Sequence, residues 1–399
     1  MEKFECLSCG GKYPEDVFHY FCPGCGDPLL ISSFKRGRAL HPERRSSLEA
    51  FFDYLPLARI NPALSLGEGW SPLLKMGRLA EKLGFSNLYA KNECQNPTHS
   101  FKDRGTALVV QKACSLGIKA VGTVSTGNMA SSTAAYGARA GLKTFIFLKD
   151  GTPAEKVLST GMHGAHLFLV RGDYGRLFRQ SLELGEKLGI YFANSVDPFR
   201  IEGYKAASLE MYLQLDRRPP QFVLVPVSSG GHLIGLMRGF MDLIKDGLIE
   251  GMPVFVGIQA AGCSPLARAF TRNQETWRPF KNAHTVAHAI SNPSPPGGRL
   301  ALKFIRENGG LLLAVSEAEI LKSQRELALL EGIFCDPASA TTLAGLKKLS
   351  RLKLVRPRDS AVLVITGSGL KSMETLSEHR IPVQKAGLAR LEAAVRSVL

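Results

Sequence analysis

From residue 88 onward, short uninterrupted apolar runs alternate with longer stretches whose apolar positions recur every three or four residues. The runs predict strands over 88–91, 120–124, 144–148, 166–170, 222–227, 254–259 and 361–365. The periodic stretches predict helices over 100–116, 129–140, 174–188, 203–213, 231–244, 317–330 and 339–349. Several strand candidates, such as Phe222-Val-Leu-Val-Pro-Val, lack the apolar–polar alternation of a half-exposed strand, as expected where both faces are covered. Strand and helix in alternation give an α/β fold with mainly parallel sheets. This part of the chain exceeds what one sheet core holds, so two open α/β lobes with a cleft between them are expected. Upstream, 48–57 reads as a short amphipathic helix and 61–72, rich in Gly and Pro, as a linker. The organisation predicted is 1–30, 31–70, a lobe over 71–215 and a second lobe over 216–399.

Composition adds limits. The chain has 399 residues, 45% hydrophobic and 21% charged, which excludes a mainly disordered protein. No apolar run approaches the roughly 18 residues of a membrane helix, and Met-Glu-Lys-Phe-Glu-Cys is no secretion signal. A cytoplasmic protein is expected. The formal charge of +15 favours anionic partners. Its densest runs, 35–45 and 347–358, are not interleaved with aromatics and read as solvated faces.

Eight cysteines without a secretion signal argue against a disulfide framework. Four form a pattern: Cys6-x-x-Cys9 and Cys22-x-x-Cys25, each pair followed by glycine. Two such turns supply four thiolates for a tetrahedral structural zinc, a zinc ribbon over 1–30 with no open position for chemistry. Cys94, Cys114, Cys263 and Cys335 are expected to be buried small hydrophobes.

Ligands of open α/β sheets bind beyond the carboxyl ends of the strands. Three small-residue turns fall there: Ser125-Thr126-Gly127-Asn128, Ser228-Ser229-Gly230-Gly231-His232 and Thr366-Gly-Ser-Gly. Each exposes backbone amides at a helix start and can hold an anion. A fourth feature, Asn96-Pro-Thr-His-Ser-Phe-Lys102-Asp-Arg-Gly105, turns through Ser100, a good N-cap, into a helix with Lys102 in its first turn. An amine in that positive field loses its proton more readily, which suits a Schiff-base lysine.

Together these segments resemble pyridoxal-phosphate enzymes of the tryptophan-synthase-β fold, and within them the threonine synthases. Leu66-Gly-Glu-Gly-Trp-Ser-Pro-Leu73, the 194–203 segment Asn-Ser-Val-Asp-Pro-Phe-Arg-Ile-Glu-Gly and the 331–340 segment Glu-Gly-Ile-Phe-Cys-Asp-Pro-Ala-Ser-Ala match in the family's order, covering roughly residues 60 to 375. The resemblance implies that the cleft holds pyridoxal 5'-phosphate, with Lys102 as its imine-forming and proton-shuttling amine. It implies that Asn128 bonds the ring hydroxyl, that Ser228, Ser229, Gly230, Gly231 and His232 bind the cofactor phosphate, and that Thr366 faces the pyridine nitrogen. Ser125, Thr126, Asn194, Ser195 and Arg200 would serve the substrate, with Arg200 gripping its phosphate. The implied reaction converts O-phospho-L-homoserine and water to L-threonine and phosphate, in a homodimer.

The chain departs from the family pattern at His99, Met129, Ser228, Ser229, His232, Ser368 and Ser372. The 228–232 turn is closer to that of serine/threonine dehydratases, so a dehydratase is one alternative. A β-replacing enzyme acting on O-phosphoserine or O-acetylserine is another. A zinc-ribbon nucleic-acid-binding protein is a third, but the chain shows neither aromatic platforms nor a basic recognition helix.

Overall fold

In the computed structural model, residues 3–32, 39–44, 46–379, 381, 383–384, 386–396 and 398 are described. Residues 35–38 and 45 of the basic run over 35–45 lie outside them. A six-stranded sheet runs in the order Leu311–Val315, Val254–Ala260, Phe222–Pro226, Ser360–Ile365, Asn87–Asn92, Leu73–Lys75. All its pairings are parallel except the last. A four-stranded parallel sheet runs His166–Val170, Lys143–Lys149, Ala120–Val124, Ile190–Phe192. The two expected α/β lobes are present.

The missing alternation has its cause in the large sheet. Val223 and Val225 point into one core with Phe255, Leu312, Val362 and Val364. Their neighbours Phe222 and Leu224 point into a second core with Val256, Ile258, Leu363 and Ile365. Helices Pro198–Gln214, Gly231–Lys245 and Gly298–Glu307 cover the first face, and Glu317–Glu331 and Pro337–Arg351 the second. With both faces apolar, no polar position breaks the run.

Sheet membership moves the expected lobe boundary. Leu73–Lys75 and Asn87–Asn92, assigned to the 71–215 lobe, pair into the sheet made by the later strands. The chain starts in the large sheet, crosses to build the small one, and returns. Helix Pro198–Gln214 lies between, buried along most of its length. It starts earlier than its apolar period shows, because Asp197 caps it by accepting from the Arg200 amide at 2.8 Å and Pro198 fills the first position. Close approach is set by glycine: a Cβ on Gly203 would lie 2.5 Å from the Arg104 carbonyl, and one on Gly235 2.5 Å from the Ile201 carbonyl.

The 48–57 segment is a single helical turn, Ser47–Ala50, followed by a 3-10 turn, Phe52–Tyr54. Leu73–Lys75 and Ile190–Phe192 are too short to show a period, and Leu311–Val315 was also not foreseen. Lys91, Glu93, Arg104 and Glu210 form a fully buried ion network. Arg104 Nε reaches Glu93 at 2.6 Å, its Nη1 reaches Glu210 at 2.6 Å, and Lys91 Nζ reaches Glu210 at 2.6 Å. Two cations balance two carboxylates. Burial alone would raise the Glu210 pKa, but Arg104 and Lys91 hold it well below the ordinary carboxylate value. In the basic run over 347–358, Lys347 pairs with Glu326, Arg351 with Glu319 and Arg356 with Asp359. Among the described residues no helix is long and apolar enough to cross a membrane.

Candidate active site

A cleft of about 1400 Å³ opens between the sheets. It is lined by Lys102, by Ser125, Thr126 and Asn128, by Ser195, by the whole 228–232 turn and by Thr366. Segments far apart in sequence thus meet at the strand ends, where an open α/β sheet places its ligand.

Lys102 begins helix Lys102–Ser115, but Ser100 is not its cap. Phe101 holds that position without a side-chain bond, and the Ser100 hydroxyl is buried without a partner. Asp103 closes the turn instead, accepting from the Thr98 amide at 2.6 Å and the Thr98 hydroxyl at 2.5 Å. Two backbone bonds stitch this loop to the last strand: Phe101 N donates to Thr366 O at 3.0 Å, and Ser368 N to His99 O at 3.1 Å. His99 has φ 61°, the left-handed conformation that glycine adopts freely. The Lys102 ammonium lies 4.4 Å from the Phe101 ring centroid and 5.9 Å from that of Tyr204. Burial among these rings, helped by the nearby Arg200 charge, lowers its pKa to about 7. Desolvation is the largest cause of that shift.

Opposite stands the 228–232 turn. Gly230 has φ 94°, and helix Gly231–Lys245 follows with no side-chain cap, so its first amides face the cleft. The turn is wedged: a Cβ on Gly231 would lie 2.6 Å from the Ser195 carbonyl, and one on Gly230 3.0 Å from the Gly297 carbonyl. Asn292 Nδ2 donates to Ser229 Oγ at 3.0 Å. His232 stacks on Phe101 at 3.8 Å between centroids, and both its ring nitrogens are buried without partners. Burial, with the charges of Lys102 and Arg104, drives its pKa well down, so the imidazole is neutral.

Thr366 and Asn128 approach from the two lobes. A Cβ on Gly367 would lie 3.1 Å from Asn128 Nδ2 and 2.7 Å from Asp336 Oδ2. Behind Thr366, its hydroxyl lies 3.0 Å from Ser339 Oγ, which donates to Asp336 Oδ1 at 2.6 Å. Burial raises the Asp336 pKa to about 6.

Two predicted substrate residues stand behind the cleft wall. Asn194 is fully buried; its Oδ1 accepts from Val124 N at 2.9 Å and its Nδ2 donates to Ser181 Oγ. Arg200 is also fully buried, and its guanidinium donates to the Ala193 carbonyl at 2.9 Å and to Thr106 Oγ1 at 2.7 Å. These bonds run to the wall behind the cleft, whereas a direct grip on phosphate was expected, and the Arg200 charge helps lower the Lys102 pKa. Met129 is buried in the cleft lining and gives it an apolar surface there.

Other lining residues were not foreseen. Asp336 lines the cleft, with Ser339 bonded behind it, in a segment noted only as a motif, and Lys371 lines it a few residues after Thr366. Lys371 donates to the Thr98 carbonyl at 2.8 Å, and burial lowers its pKa to about 8. Lys156, on helix Ala154–Gly161, pairs with Glu374 at 2.8 Å. No local pattern marks Lys156, because its partner is 218 residues away.

The four N-terminal cysteines converge. Their sulfurs lie within 4.8 Å of one another, with Cys6–Cys25 at 3.3 Å and Cys9–Cys22 at 3.5 Å. Gly10 and Gly26 take φ 76° and 75°, and their amides close the turns onto Cys6 O and Cys22 O at 2.8 Å each. The ribbon, strands Lys3–Glu5, Lys12–Pro14 and Leu30–Ile31, docks on the small lobe through Tyr20, whose hydroxyl donates to Phe192 O at 2.9 Å. Cys263 and Cys335 are buried as expected, while Cys94 and Cys114 are half-buried.

An amine that is half deprotonated near neutral pH, facing a glycine turn shaped for an oxyanion, answers the needs of a phosphorylated aldehyde. The chain belongs to the pyridoxal-phosphate dependent enzymes, whose family model matches residues 64–367. Within that family it is 37% identical over 389 residues to a threonine synthase of Methanocaldococcus jannaschii, covering 95% of this chain and 96% of that one. A threonine synthase of Methanosarcina acetivorans is 36% identical, with 94% of each chain covered. The fold is shared with the processed form of threonine deaminase isoform 2 from Solanum lycopersicum, with a TM-score of 0.64 at 20% identity over 82% of each chain. The cleft fits the cofactor: the His232 nitrogens lack partners, the Gly230–Gly231 cradle excludes a Cβ, and the Lys102 amine is desolvated.

Proposed function

We propose that the protein is a threonine synthase, converting O-phospho-L-homoserine and water to L-threonine and phosphate. The observation that carries this reading is near full-length similarity to two threonine synthases, joined to a cleft that brings the lysine, the anion turn and Thr366 together. Pyridoxal phosphate, when bound, supplies an aldehyde for an amine and an aromatic ring that takes up the electron pair left when a proton is removed. The chain supplies the rest. Lys102, neutral in part at pH 7, would hold the cofactor through its amine and, as a free amine, would move protons at the substrate carbons. The amides of 228–232 would hold the cofactor phosphate, Asn128 the ring oxygen, and Thr366 would offer a hydroxyl to the ring nitrogen. Ser125, Thr126 and Ser195 bind the substrate. With Arg200 bonded behind the wall, the cleft's Lys149, Lys156 and Lys371 are ammonium groups that can meet a second phosphate.

In the same proposal Cys6, Cys9, Cys22 and Cys25 hold a structural zinc, and the protein is a cytoplasmic homodimer, the last two on family resemblance and sequence. A dehydratase is the second reading, favoured by the Ser228-Ser229-Gly230-Gly231 turn and by Met129. Incubating the holoenzyme with O-phospho-L-homoserine and with L-threonine separates the two. Phosphate release with threonine formation supports the synthase; ammonia and a 2-oxoacid from threonine, without phosphate release from the other substrate, overturn it.

A further inference from the structure

The Lys156–Glu374 pair spans the cleft. Lys156 lies on helix Ala154–Gly161 beside the four-stranded sheet, and Glu374 on the 3-10 segment Met373–Glu378 that follows the last strand of the six-stranded sheet. Both side chains line the cleft and meet at 2.8 Å. They are 26% and 35% exposed, so the pair is open to water and to an incoming ion. Partly exposed pairs of this kind contribute little to stability. An ion placed beside Lys156 therefore has little to overcome. The other inner ammonium, Lys371, is already held by the Thr98 carbonyl and faces Asp103 and Asp336. Lys149 lines the cleft too, exposed at the end of its strand, and among the described lining ammonium groups Lys156 is the one paired with a carboxylate across the cleft.

We propose that Glu374 occupies the place of the substrate's phosphate on Lys156, so that only a ligand bringing a more strongly charged anion displaces it and engages the cleft. This rests on the reading of a phosphorylated substrate. A dianionic phosphate carries more charge and more acceptor oxygens than one carboxylate, and it wins the exchange. Threonine, serine and homoserine bring no such group beyond their own carboxylate, and for them Glu374 stays in place. The pair thus sets a threshold against the unphosphorylated amino acids that resemble substrate and product. Displaced from Lys156, Glu374 also loses its link to the opposite lobe, so the lobes exchange one contact for another through the substrate.

The test uses the cofactor-loaded protein and inorganic phosphate as the probe, with binding read by calorimetry and by the cofactor's absorbance. In Glu374→Gln, which keeps the shape but removes the competing charge, phosphate should bind about threefold to tenfold more tightly than in wild type. Glu374→Asp should stay within about twofold of wild type, and Lys156→Gln should bind phosphate more weakly than either. Selectivity, as kcat/KM for the phosphorylated substrate over threonine, should fall in Glu374→Gln. A phosphate affinity in Glu374→Gln equal to or weaker than wild type, in protein whose melting temperature is unchanged, overturns the proposal and leaves the pair a simple strut. If neither wild type nor Glu374→Gln binds phosphate, the phosphorylated-substrate reading falls, and this proposal with it.

Discussion

The backbone amide of Phe101 donates to the carbonyl of Thr366 at 3.0 Å, across 265 residues of chain. Lys102 belongs by its helix to the small lobe, yet its position is set by the end of the large sheet's last strand. Residues on both sides of this seam crowd Gly367, where an added Cβ would lie 2.7 Å from Asp336 Oδ2. Gly367→Ala should therefore displace Asp336 or Asn128 at a cost of roughly 1–3 kcal/mol. If that cost falls on the cofactor complex, affinity drops about tenfold to a hundredfold. A cofactor titration checks it, and unchanged affinity would show that the seam does not shape the cofactor pocket.

Lys102 should destabilise the protein without cofactor. Its pKa in the folded protein is about 7 against an ordinary 10.5, so between those values the folded state binds fewer protons than the unfolded one. Stability then rises with pH across that window, and below pH 7 the full penalty of a buried cation is present. Lys102→Met in the cofactor-free protein should be more stable than wild type at pH 6, and the advantage should shrink by pH 10. Denaturant unfolding at both pH values measures this. A pH-independent difference would mean that the amine is solvated.

Arg200 should act on that same amine from behind the wall. Its positive charge disfavours a second one on Lys102. Arg200→Met should raise the Lys102 pKa and move the pH dependence of cofactor attachment to higher pH. The rate of absorbance change on adding pyridoxal phosphate to cofactor-free protein reports it. A changed KM for the phosphorylated substrate with an unshifted attachment profile would restore Arg200 as a direct phosphate ligand.

Much of this architecture could be read from the chain before its coordinates. Apolar runs such as 222–227 marked strands because burial on both faces removes polar positions, and the small-residue turns marked the strand ends that face the cleft. What escaped depends on distance in sequence. Leu73–Lys75 is too short to show a period and is placed by pairing with Asn87–Asn92, so the lobe boundary went unseen. Arg200 has the right chemistry for a phosphate, but the carbonyl of Ala193 and the hydroxyl of Thr106 take its donors. Lys156 and Glu374 acquire meaning only as a pair, and no local pattern joins them. Ser100 has the right chemistry for a cap, yet the Asp103 carboxylate closes the turn.

The cysteine cluster should hold one zinc per chain, since four thiolates within 4.8 Å fill a tetrahedral shell. Elemental analysis of protein purified without chelator tests this. Cys22→Ser should lose the metal and speed hydrogen exchange in Lys3–Glu5 and Lys12–Pro14, because metal binding and ribbon folding are coupled. Full protection in metal-free protein would show that the ribbon folds unaided.

The central claim is that the Lys102 amine, and no other, carries the cofactor. Borohydride reduction of the holoenzyme followed by peptide mass mapping decides it, because reduction fixes the cofactor to the nitrogen that holds it. The pyridoxyl mass should appear on the peptide containing Lys102, with Lys371 and Lys156 unmodified, and Lys102→Ala should show no label. A label on Lys371, or stoichiometric cofactor with Lys102 unmodified, would contradict the account.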